Sequence, residues 1–96
     1  MLNSEAVTDA EANYAEVETN IRQAELALTK AEADLARLTD LFQHQAVARK
    51  EVLAAETALS LSKASVAQAN YAREQARLPL DLLGRKPGVF AQQIVV

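Results

Sequence analysis

Residues 7–42 read VTDAEANYAEVETNIRQAELALTKAEADLARLTDLF. Small or apolar side chains recur there at Val7, Ala10, Tyr14, Val17, Ile21, Ala24, Leu28, Ala31, Leu35, Leu38 and Phe42. The steps alternate three and four without a break, which is the pattern of a left-handed coiled-coil seam. A second, less pure seam runs Ala48, Val52, Ala55, Leu59, Ser62, Val66, Ala69, Arg73, Ala76, Leu80, Leu83. Between them Gln43-His44-Gln45-Ala46-Val47 is long enough to reverse the chain between antiparallel helices.

Folding the chain about Gln45 pairs the two seams. Tyr14 then meets Ala76, Ile21 meets Ala69, Ala24 meets Val66 and Leu28 meets Ser62. Ala31 meets Leu59, Leu35 meets Ala55 and Phe42 meets Ala48. Most layers oppose a large side chain to a small one, as close packing of two helices demands. Leu38 with Val52 is a large pair, and Val17 with Arg73 is the charged layer, its arginine laying its stem on the seam. The expected fold is all-α, an antiparallel two-helix coiled-coil hairpin over residues 1–84.

The expected first helix runs from about 5 to 42, some ~57 Å at ~1.5 Å per residue, capped by Ser4 or by Thr8. Thr8 has Glu11 three residues on, the capping-box spacing. The turn is placed at 43–47 and the second helix at about 48–78, where Pro79 removes a backbone donor. A kinked extension over 80–83 ends at Gly84. Residues 85–96 then read as a turn, Arg85-Lys86-Pro87-Gly88, and the β-branched run Ile94-Val95-Val96 as the stub of a strand from a missing β domain. Met1 is expected to be an expression start.

Composition narrows the function classes. Alanine occurs 20 times and leucine 13 times in 96 residues, whereas the aromatics are only Tyr14, Phe42, Tyr71 and Phe90. Both abundant residues are strong helix formers, and so few rings argue against an ordinary compact core. Without cysteine there is neither a disulfide framework nor a cysteine zinc site. No apolar run approaches the ~20 residues that cross a bilayer. His44, the single histidine, stands between two glutamines at the tip and reads as a solvated turn residue, so no metal and no cofactor is expected. Nor can a two-helix rod gather a nucleophile, a base and a water-excluding pocket, so an enzyme is not expected.

Charge is divided unevenly. Residues 1–42 carry nine acidic and three basic side chains, and residues 43–96 four and seven. Opposite signs suit two segments that lie side by side. A nucleic-acid-binding arm, such as the hairpin of aminoacyl-tRNA synthetases, would need a basic stripe that the acidic first half does not supply. A purely structural coiled-coil spacer would share this pattern away from the tip, and only partner binding separates the two. Leu26, Leu53 and Leu61 face away from the partner helix, as does Ala33; the leucines are expected to pack laterally against neighbouring hairpins.

At the tip, Arg37 and Leu41 are followed by the small Ala48 seven residues after the leucine. Arg37-Leu38-Thr39-Asp40-Leu41-Phe42, then Ala46-Val47-Ala48-Arg49-Lys50-Glu51, resembles the Arg-Leu-Ser tip of periplasmic adaptor proteins, the membrane fusion proteins of tripartite efflux pumps. The opening Asn3-Ser4-Glu5-Ala6-Val7 and the close Leu82-Leu83-Gly84 look most similar to the heavy-metal branch of resistance–nodulation–division (RND) pumps. The resemblance implies a hairpin inserted in a lipoyl-like β domain, in the periplasm of a Gram-negative bacterium, its parent associated with the inner membrane. It implies an RND transporter and a TolC-type outer-membrane channel as partners, self-association into a ring, usually a hexamer, and docking through Arg37, Leu41 and Ala48. The family's third tip residue is usually serine, which caps the second helix and offers a hydroxyl; Ala48 does neither. Its common turn glycine is replaced by Gln45.

Overall fold

A computed structural model describes residues 4–84. Helix α1 spans Ser4–Gln43 and helix α2 spans Arg49–Leu82. They form an all-α helical hairpin, and no strand occurs among the described residues. The strand stub and the lipoyl-like domain remnants fall outside the described residues.

The hairpin divides into two compact units, each built from a segment of both helices. The first takes residues up to Ile21 together with those from Ala69 onward. Its core joins Tyr14, Val17 and Ile21 of α1 to Ala76 and Leu80 of α2, with Ala10 and Ala69 packed against them. These are the partners that folding about Gln45 brings together: rings and branched chains on one helix, alanines opposite, and Leu80 against Ala10. Val7 is buried as well, and Arg73 is half-buried in the layer of Val17.

The second unit, Arg22–Gln68, holds the turn and the rest of both helices. Ala31 and Ala55 are buried, and Ala24, Leu28, Leu35, Leu38, Val52, Leu59, Ser62 and Val66 are half-buried. Two helices shield a side chain from one direction only, so a large residue on a single seam keeps part of its surface in water. The last expected layer departs from the pattern. Phe42 is 37% exposed and Ala48 is exposed, while Val47 takes the sheltered place.

Three details of the helix ends follow. Thr8 lies inside α1, not at its cap, and its hydroxyl donates to the carbonyl of Ser4 at 2.9 Å. Thr19, Thr29 and Thr57 bond back in the same way to Ala15, Glu25 and Leu53, the habit of exposed helical threonines. Helix α2 starts at Arg49, leaving Ala48 as the residue before it. It runs through Pro79 to Leu82, as the expected extension beyond the proline requires. Leu80, 1% exposed, anchors that last turn in the core. Arg77 Nε reaches Asp81 Oδ2 at 3.6 Å across the proline turn. The helix stops where Gly84 takes the left-handed conformation (φ 74°), its amide donating to the Asp81 carbonyl at 3.1 Å.

Candidate functional site at the hairpin tip

The tip is set by backbone hydrogen bonds. The Ala46 amide donates to the Leu41 carbonyl at 2.8 Å, and the Gln45 amide to the Phe42 carbonyl at 2.9 Å. Gln45 itself is left-handed, with φ 60°. Together these make a Schellman motif, which satisfies the last carbonyls of α1 and turns the chain. The His44 ring Nδ1 lies 2.8 Å from the Asp40 carbonyl and 3.7 Å from its carboxylate, so the imidazole folds back along α1. Across the turn the Glu51 amide donates to the Ala48 carbonyl at 3.0 Å, the first bond of α2. Ala48 therefore stands at the N-cap without a side-chain acceptor to offer.

The three expected docking residues have different surroundings. Arg37 is exposed, and its guanidinium reaches Asp34 Oδ1 only at 4.0 Å, on the same face of α1. Such a pair holds the side chain weakly and leaves its donors to a partner. Leu41 is half-buried beside the turn, and Ala48 is exposed. Arg37 also borders an open groove of about 690 Å³ on one flank of the second unit. Alanines from both helices floor it (Ala27 and Ala31 from α1; Ala54, Ala55 and Ala58 from α2), with Leu38 and Val47 near the tip. Lys30, Arg37, Asp34 and Glu51 supply its charge. Leu41 and Ala48 are not among its walls.

The expected outward leucines are exposed: Leu26 71%, Leu61 65% and Leu53 47%. In the first unit Tyr71, Leu78 and Leu82 are also exposed, residues that reading the seam alone passed over. Their spacing of seven and four on the back of α2 is the signal that would have found them. Among the described residues there is no cluster of three metal-ligating side chains, and no helix is long and apolar enough to cross a membrane.

In the first unit Tyr14 is the side chain with a displaced ionisation. Burial pushes its phenol above the usual value, the neighbouring Glu18 carboxylate adds to the rise through a hydrogen bond and its charge, and Arg73 and Arg77 oppose it.

The chemistry these surfaces offer is recognition: an exposed guanidinium, an alanine-floored groove and outward leucines. No protein-family model, curated protein or solved structure matches the chain.

Proposed function

We propose that this chain is the helical hairpin of a periplasmic adaptor that joins an inner-membrane RND transporter to a TolC-type outer-membrane channel, in the heavy-metal branch of tripartite efflux pumps. Its tip docks to the channel, and its sides pack against other copies in a ring, six in the full assembly. The observation that carries the reading is Arg37. It stands near the turn with its guanidinium exposed and held by a 4.0 Å contact to Asp34, one helical turn from the half-buried Leu41. A planar cation beside an apolar shoulder suits helix tips that present carboxylates or carbonyls next to leucines. Ala48, which lacks the family's hydroxyl, leaves a smooth surface on the other side of the turn.

The test is made in the parent adaptor. Arg37→Asp combined with Leu41→Glu should abolish efflux and capture of the channel while expression and helicity stay normal. Normal export by a correctly folded double variant would overturn the docking role.

A further inference from the structure

The groove beside Arg37 exists because one flank of the second unit lacks long side chains. Next to the seam on that flank stand Ala27 on α1 and Ala54 and Ala58 on α2, all exposed. On the opposite flank the matching heptad places hold Glu25 and Glu32 on α1, Glu56 and Lys63 on α2. Long charged side chains shelter a seam with their stems, whereas a methyl group cannot. The floor of Ala31 and Ala55 is therefore open from this side, and the space above it is about 690 Å³.

Size and charge select the occupant. On α1 the apolar floor runs from Ala27 to Leu38, less than two heptads, whereas a third helix needs a seam of several. The volume is that of a site for a small organic molecule, and such sites combine an apolar lining with a few polar groups. Charge is uneven along it. At the tip end the Arg37 guanidinium is offset by Asp34, at 4.0 Å, and by Glu51 on the other helix. At the other end Lys30 stands on the rim with no ion pair among the described residues. Asp34, one turn along the same helix, is engaged with Arg37 instead, and the α2 wall at that end is Ala58. One end thus offers an uncompensated ammonium, and the middle offers only methyl groups.

We propose that this flank binds an amphiphilic organic anion, its acidic head at Lys30 and its apolar body laid over Ala31 and Ala55 toward Leu38. The Lys30 ammonium is a point charge with three donors, suited to a carboxylate or a sulfonate. From Lys30 to Leu38 the helix rises ~12 Å at ~1.5 Å per residue, the length of a chain of about ten carbons. The site goes beyond the docking reading and is independent of it, since Arg37 does not orient the ligand.

The test uses the full 96-residue chain and anilinonaphthalene sulfonate, an aromatic anion whose emission rises when it leaves water. One dye should bind per chain, and decanoate should displace it. Decylammonium, with the same alkyl chain and the opposite charge, should need about tenfold more. Lys30→Glu should weaken dye binding about tenfold, and Ala58→Glu, which sets a carboxylate in the groove, should abolish it. Both positions are exposed, so helicity by circular dichroism should stay unchanged. Leu26→Gln combined with Leu61→Gln, outside the groove, should leave dye binding intact. No rise in emission would overturn the proposal, and so would full binding by the Lys30 or Ala58 variant or displacement by both amphiphiles alike. Loss of binding in the leucine variant would assign the dye to the outward leucines, and one dye per two chains would place it between copies; either result overturns the groove. None of these outcomes bears on the docking role, which is read from capture of the channel.

Discussion

Gln45 shows how much one residue controls at the turn. Its φ of 60° is a conformation in which a Cβ crowds the neighbouring carbonyl, and the Schellman motif imposes that conformation on whatever residue stands there. Glycine carries no such penalty. Gln45→Gly should therefore stabilise the hairpin by about 0.5–1 kcal/mol after the entropy of the freer unfolded chain is counted. Thermal melting followed by circular dichroism reads this directly, and an unchanged or lower midpoint would mean that the turn relaxes into another form. Ala48 is the second weak point of the tip. The Ala48 carbonyl already receives the Glu51 amide, so the residue lacks only the side-chain acceptor that serine, threonine or aspartate brings to an N-cap.

At the scale of the element, Pro79 is the informative strain. It removes a donor to the Gln75 carbonyl and presses its ring on that turn, yet α2 continues to Leu82. What holds the turn is tertiary: Leu80 is the deepest side chain of the hairpin, sunk against Tyr14 and Ala76. Pro79→Ala should keep that packing and restore the missing bond, raising stability by about 1–3 kcal/mol. If denaturant unfolding gave a lower midpoint for the alanine variant, the proline would be serving the packing of Leu80, not opposing it. The threonines make a milder version of the same point. Each donates its hydroxyl to a carbonyl one turn back on its own helix.

At the scale of the molecule, stability couples to pH through Tyr14. Its folded value lies above the ordinary one near 10, so the fold favours the neutral phenol. That contribution is fully present below about pH 10 and is lost as pH rises through the raised value, since the unfolded chain ionises first. Denaturant melts across about pH 9–12 should show the fall, and Tyr14→Phe should flatten it, because no proton is then released on unfolding at this site. Identical pH slopes for the two proteins would mean that Glu18 and burial do not hold the phenol in the folded state. Replacing Tyr71 with phenylalanine in the protein that keeps Tyr14 leaves Tyr14 as its sole tyrosine absorbance reporter of ionisation.

The hairpin was legible because its cause is periodic. A seam of small and large residues at three-and-four spacing states which face is buried, and its mirror symmetry about Gln45 states the partner and the register. Val7, Tyr14, Val17, Ile21, Ala31, Ala55, Ala76 and Leu80 are all seam positions, and they make up the buried apolar set among the described residues. The outward exposure of Leu26, Leu53 and Leu61 follows from the same phase. What spacing cannot state is how far a helix persists against a local breaker or where a turn closes. Pro79 is compatible with an end or with an extension over 80–83, and the packing of Leu80 selects the extension; Thr8 has the spacing of a cap, but α1 has already begun at Ser4. The left-handed Gln45 and the groove beside Arg37 arise from atoms brought together across the turn. Local pattern encodes which face is buried, while ends, turns and grooves depend on contacts between residues far apart in the chain, and those exist only once the helices have paired.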